Sequence, residues 1–383
     1  MFWPYIIISY LTLFTFGLCD NIRGPLFPEI LKHFAVSDTE GSTIFAFGAA
    51  AGFFGSLATR ALIARMNRIQ LLRLAAALQL MALLGLAFST HFSVFLIFSI
   101  LFGWSLGSMG FLPNVLVNIG APPQHRQRAL SGLHSMYGCA SFLAPLLVAG
   151  VAWSGFDWRM SFILCGILPL SLLLYSLKVP AFCPSPEEEP QNTRPSGFKS
   201  LKARKPQLFL ALMMSFYVVA EILISSRLAL FMRREWGFDL EQSSLYLTAF
   251  FACMLVGRVI FIFVSFSRPL VFQLSISLLA TALSMTLGVF GHPGFFVLSG
   301  LTMAPFFPLA VAFIAAEFPE DLDSAMSFLI AADFLMLILM HLSVGYLTDL
   351  FGISRALLVG PCVLFLSFLM LNSFRPLFRN KTA

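Results

Sequence analysis

Apolar stretches of about 20 residues recur from one end of this chain to the other, each long enough to cross a hydrocarbon layer of roughly 30 Å as a helix. Twelve are counted, over 4–30, 42–64, 70–90, 92–119, 129–153, 159–178, 207–232, 243–265, 269–290, 294–316, 325–348 and 354–374. Side chains that are 58% hydrophobic and 11% charged cannot all be hidden in one water-soluble core, so the bilayer must be the solvent. The expected fold class is all-α: a polytopic membrane protein of twelve transmembrane helices. The first stretch lacks a basic start and a small-residue cleavage site and carries Asp20 and Arg23, so it is expected to stay as the first helix.

The basic residues give the orientation. With the N-terminus in the cytoplasm, 17 of the 24 Lys and Arg fall on inside loops and ends and 5 on outside loops, with Arg23 and Arg227 in the membrane. The positive-inside bias then puts both termini in the cytoplasm, and the cell inner membrane is the expected location. The basic balance is thus topological, and no nucleic-acid partner is expected. Five of the six cysteines lie inside predicted spans, and no disulfide framework, metal spacing or cofactor motif is read from the sequence.

Residues 178–206 interrupt the pattern with six prolines and the run Glu187-Glu188-Glu189, which reads as a cytoplasmic linker between six-helix bundles at 1–177 and 207–383. The two halves echo one another. Ala129-Leu130-Ser131-Gly132-Leu133 matches Ala325-Met326-Ser327-Phe328-Leu329 at an offset of 196, and Arg159 and Arg355 keep it. Pro113 and Pro308 follow at 195, and Phe16 with Asp20 matches Tyr217 with Glu221 at 201. Two pseudo-symmetric bundles with a site between them at mid-depth are the layout of alternating access.

Four segments carry a family resemblance: FGLCDNIRGPLFPEI from Phe16, the run Phe102 to Asn118, FYVVAEILISSRL from Phe216 and GLTMAPFFPL from Gly300. With Trp158-Arg159 they resemble the major facilitator superfamily, and within it the fucose-proton symporter and related sugar permeases. The resemblance covers essentially the whole chain and implies a monomeric transporter whose first, fourth, seventh and tenth helices line a cavity. Asp20, Asn114, Glu221 and Arg227 would then face it. There are departures. The loop after the second helix keeps Arg65 and Arg68 but has Ala64 and Asn67 where the family has Asp and Gly, and the fourth helix offers Asn114 and Asn118 but no carboxylate. Ala144-Pro145 is followed by Leu146-Leu147 rather than completing the antiporter motif, which tilts the reading toward symport.

A charge near mid-bilayer costs about 2.5 to 3.5 kcal/mol, so intramembrane ionisable groups are the candidates for function. Asp20 and Arg23 are one turn apart and can pair. They form either a structural ion pair or a coupling pair, in which substrate that captures Arg23 frees Asp20 to take a proton. Glu221, at the repeat-related position, and Asp333 are the other proton-coupling candidates. Six residues turn the helix by about 240°, so Glu221 and Arg227 are not expected to pair. Arg227 is either a substrate contact or a cation reaching toward the outer surface. Arg23, Asn114, Asn118, Tyr217, Arg227 and the buried His134 are the substrate-binding candidates, with hydrogen bonds between helices as the alternative role. Gly103, Gly107 and Gly110 read as tight packing, and Pro113, Pro305 and Pro308 as breaks in the hydrogen-bond ladder. The 44 phenylalanines read as lipid-facing and core filling. Glu317, Glu320 and Asp323 are expected to meet Arg65, Arg68 or Arg258 in a gate.

The expected function is secondary active transport of a small polar solute, a sugar or small organic anion, coupled to protons as symport, with substrate, protons and lipid as partners. A proton-antiporting or uncoupled exporter and a transporter-fold sensor are the alternatives. No enzyme motif is present.

Overall fold

The computed structural model describes residues 1–181, 205–263, 268–318 and 322–373, leaving aside the side chains of 262 and 322–327. The greater part of the expected linker, Glu320, the side chain of Asp323 and the chain beyond Ser373 lie outside the described residues. Within them the regular elements are helices: α1 (Trp3–Asn21), α2 (Arg23–Phe34), α3 (Asp38–Leu62), α4 (Arg68–Phe88), α5 (Phe92–Gly120), α6 (Pro123–Trp153), α7 (Met160–Ser176), α8 (Lys205–Glu235), α9 (Leu240–Phe263), α10 (Leu270–Phe290), α11 (Gly294–Met303), α12 (Phe306–Glu317), α13 (Leu322–Phe351), α14 (Ile353–Ala356) and α15 (Val359–Ser373). Three spans are broken, so α1 with α2, α11 with α12 and α14 with α15 each cross once. Eleven spans are long and apolar enough to cross a membrane, and the shorter α7 makes twelve. An even number brings Trp3 and Ser373 to one end of the bundle, here the terminal end; the other is the far end.

Pro305 supplies no N–H and marks the break between α11 and α12, whereas α5 runs through Pro113 and α12 through Pro308 without interruption. Helix starts are set locally. The Ser37 hydroxyl accepts from the Glu40 N–H at 3.1 Å while the Glu40 carboxylate accepts from the Ser37 N–H at 3.0 Å. The start of α9 uses the same reciprocal device, with Gln242 N–H donating to Asp239 at 2.8 Å and Asp239 N–H to the Gln242 side chain at 3.3 Å. This is a further trace of the internal repeat.

The apolar surface faces outward, as lipid requires: Phe54, Phe88, Ile97, Leu283 and Phe290 are exposed. Buried hydroxyls bond back to their own helix, as Ser9 does to Tyr5 and Thr12 to Ile8, both at 2.6 Å. The expected glycine packing is present at Gly103 and Gly107, with its partner in α3, but not at Gly110, where a Cβ would meet only the Phe16 ring at ordinary contact distance. A Cβ at Gly103 would overlap the Gly48 backbone, and one at Gly107 the Gly52 backbone, while Gly55 lies on the Trp104 carbonyl. In the second half Gly300 lies on the Phe250 carbonyl of α9 and Gly257 on Ala304 and Leu301. Between the halves α2 packs on α8, α3 on α13 and α6 on α9.

Candidate functional site

The Asp20–Arg23 pair forms where α1 gives way to α2. The Arg23 guanidinium donates to the Asp20 carboxylate, and its Nε donates to the Asp20 carbonyl at 3.4 Å. It also lies 5.1 Å from the Phe45 ring centre and 4.8 Å from that of Phe102. Two phenylalanines thus serve as a cation platform, a role the composition did not suggest. Beside the pair, the buried Asn21 amide donates to the Gly17 carbonyl at 2.8 Å and the Ser141 hydroxyl at 3.1 Å, tying α1 to α6. The absence of a side chain at Gly17 admits the Tyr137 ring of α6.

In the second half Glu221 of α8 faces a cavity of about 10 Å³ shared with Tyr137 and Ser141 of α6 and with Met254 and Arg258 of α9. Arg258, expected as a gate partner at the inside end of its span, lies in α9 and reaches between the halves. Its buried Nε has no hydrogen-bond partner among the described residues. Asp333 of α13 accepts the Ser215 hydroxyl at 2.7 Å. Tyr137 lies within electrostatic reach of both Asp20 and Glu221, and Asp333 within reach of Glu221. Glu221 thus lies between the halves, with Asp20 connected to it through Tyr137 on one side and Asp333 within its reach on the other. Tyr217 serves the kink in the tenth span: its hydroxyl donates to the Met303 carbonyl at 2.9 Å, and its ring stacks on Phe306 at 4.1 Å.

The far end is shut. Gly24 of α2 approaches α8 so closely that a Cβ would overlap the Ser225 carbonyl oxygen. Glu29 pairs with Arg233, and Asp38 with Arg234 at 2.7 Å. Asp349 of α13 accepts the N–H groups of Asp38 and Thr39 at 2.9 and 2.8 Å, so a carboxylate from one half caps a helix of the other. Gly345 leaves room for Ser42 and the Asp38 carbonyl. Arg227 does not reach outward. It is buried, donates to the Ser42 hydroxyl at 2.9 Å, and lies 4.3 Å from the Phe27 ring centre and 4.9 Å from that of Phe45. His341 of α13 stacks on Phe45 as well, at 4.9 Å.

The remaining candidates lie toward the terminal end. The Asn114 amide is bonded to the Gly110 carbonyl of its own helix at 2.9 Å, and Asn118 is exposed. His134 is exposed rather than buried, because the half of α6 that carries it stands open, and it lies within electrostatic reach of Arg258. Arg65 is exposed after α3, Arg68 opens α4 and Glu317 closes α12. The proposed partners Glu320 and Asp323 fall outside the described side chains. Among the described residues no packing of α5 on α12 comparable to that of α2 on α8 closes this end.

Sequence reasoning passed over Asn21, Ser42, Phe45, Tyr137, His341 and Asp349. A signal existed for two of them. Phe334, His341, Gly345 and Asp349 recur at spacings of seven, four and four, the stripe that α13 turns toward α3.

A family model described as the Major Facilitator Superfamily matches residues 9–290. No curated protein matches the chain. Among solved structures, a bacterial homologue of the human lysosomal transporter Spinster, inward-facing and occupied, is similar with a TM-score of 0.79 at 13% identity, covering 99% of this chain and 98% of its own. A D-xylose-proton symporter follows at 0.78 and 16% identity, covering 96% and 97%. The nucleoside transporter NupG gives 0.73 and 15%, covering 98% of each chain.

Proposed function

The chain belongs to the Major Facilitator Superfamily, a family of membrane transporters and not of enzymes, and from that premise we propose that it carries a small polar solute together with protons. The solute is a sugar or small organic anion, the cycle is alternating access, and the direction of coupling is symport. The single observation that carries this reading is the place of Glu221 between the halves, connected to Asp20 through Tyr137 and within reach of Asp333. Carboxylates are costly in lipid, and these three span the two halves that must part. The proton passes among them, and Arg23 is the group whose capture by substrate releases Asp20. Arg227, Asn114, Asn118, Tyr217 and His134 complete the substrate path.

The excess of Lys and Arg on the terminal side supports a cytoplasmic location for both termini in the inner membrane. The shut far end is then the outer gate, and the conformation is inward-facing, the state named for the similar Spinster homologue. The bundles at 1–177 and 207–383 rock as units, the chain works as a monomer, and Arg65, Arg68 and Arg258 meet Glu317, Glu320 and Asp323 when the inner side closes. The resemblance of the first, seventh and tenth spans to fucose-proton symport supports a hydroxylated or acidic solute, while the fourth span, without a carboxylate, argues for a different proton route.

The test is Asp20→Asn in proteoliposomes with an imposed inward proton gradient, against a panel of sugars, sugar acids and small carboxylates. Gradient-driven accumulation should be lost while exchange of labelled for unlabelled solute persists. Accumulation at the level of the unaltered protein would remove Asp20 from the proton path.

A further inference from the structure

The far-end seam buries two basic groups, Arg227 and His341, with which no carboxylate forms an ion pair among the described residues. Arg227 is 1% exposed, and among the described residues its side-chain hydrogen bonds go to the Ser42 hydroxyl at 2.9 Å and the Ser226 carbonyl at 3.3 Å. Among the described residues no carboxylate forms an ion pair with it; Asp38, whose field it feels, gives one oxygen to Arg234 and keeps its other, buried oxygen without a hydrogen-bond partner among the described residues. His341 is 4% exposed, and its buried Nδ1 has no hydrogen-bond partner among the described residues. The two lie within electrostatic reach of each other. Arg23, by contrast, is neutralised by Asp20.

A buried guanidinium without a counter-ion is costly, and ring faces and a hydroxyl recover only part of that cost. Here the compensating groups lie across the seam. Ser42, Phe27 and Phe45 belong to the first half, whereas Arg227 and His341 belong to α8 and α13, which pack together in the second. When the far end opens, the basic pair stays together and loses its cover.

We propose that Arg227 and His341 bind the anionic group of the transported solute, so that the substrate is a small organic carboxylate rather than a neutral sugar; this rests on the transport reading above. The guanidinium fork matches a carboxylate edge with two N–H donors, and an imidazole N–H adds a third. Closure of the far end then has a second effect. Phe27, Phe45 and Ser42 take back the guanidinium, so shutting the gate and releasing the carboxylate toward the terminal end are one event.

The experiment uses the full chain in proteoliposomes and matched probes that differ by one group: D-glucuronate against D-glucose, and L-lactate against 1,2-propanediol. Uptake and thermal stabilisation are read for each. The carboxylate member of a pair should be preferred about tenfold or more, and Arg227→Gln should erase that preference by raising KM on the order of tenfold, with Arg227→Lys keeping part of it. His341→Gln should raise KM about threefold, and it carries the test should the Arg227 variants fail to fold. Equal handling of neutral and acidic mates, or a preference that survives Arg227→Gln and His341→Gln, overturns the assignment. Uptake of neutral members alone defeats the anion site and leaves transport standing, whereas a protein that moves no member of either pair loses both readings.

Discussion

The two ends of the bundle are closed to different degrees by different means. At the far end the halves meet through a backbone approach at Gly24, two ion pairs, a shared helix start at Asp349 and the buried Arg227. At the terminal end α5 and α12 stand apart, and Asn118 and His134 are exposed. The closed end thus adds polar contacts that water can replace to an apolar core shared by α2 and α8 and one steric fit. A gate that must reopen on each cycle needs such replaceable contacts, since an apolar interface alone would hold it shut.

The steric fit is the point at which the contrast breaks most easily. Gly24→Leu puts a side chain where the Ser225 carbonyl lies, so the far end should fail to close and transport should fall more than about tenfold. A cysteine at Ser42, fully buried here, should become reactive to an impermeant maleimide in that background. Unchanged labelling would show that Gly24 does not control closure. Asp349→Ala comes next. Loss of a cap across the seam should cost the closed state about 1 to 2 kcal/mol, a shift of roughly five- to thirtyfold in the balance of open and closed forms, read by the same labelling. The smallest effect belongs to Arg233→Gln, whose pair with Glu29 is partly exposed. About twofold is expected at low salt, fading at high salt as screening replaces the lost partner. An effect as large as that of Asp349→Ala would mean that charge rather than capping holds the gate.

Much of this was legible beforehand because membrane helices announce themselves by length and apolarity, and the boundaries read from the sequence fall within several residues of those observed. The Asp20–Arg23 pair was legible too, since its partners are one turn apart in the same chain segment. What escaped was contact between distant segments. Nothing near Arg227 in sequence points to Ser42, Phe27 or Phe45, and a lone His341 among leucines and methionines carries no mark of stacking on a ring 296 residues away. Arg258 was read only as a gate partner because it stands near one end of an apolar stretch, yet its long side chain turns inward to the cavity with Glu221. The few rings that carry a cation contact escaped for a related reason. Composition counts phenylalanines without saying which few lie against a guanidinium.

The glycine contacts between α3 and α5 make those two helices a single mechanical part. Backbone rests on backbone at Gly48–Gly103 and Gly52–Gly107, so there are no interposed side chains whose rotamers could absorb a displacement. The pair behaves as a lever: α3 is gripped by α13 at the far end, while α5 forms one lip of the opening at the other. Force on the grip at the far end is thereby delivered to the terminal end with little slack, and α9 with α11 provides the matching arm in the second half.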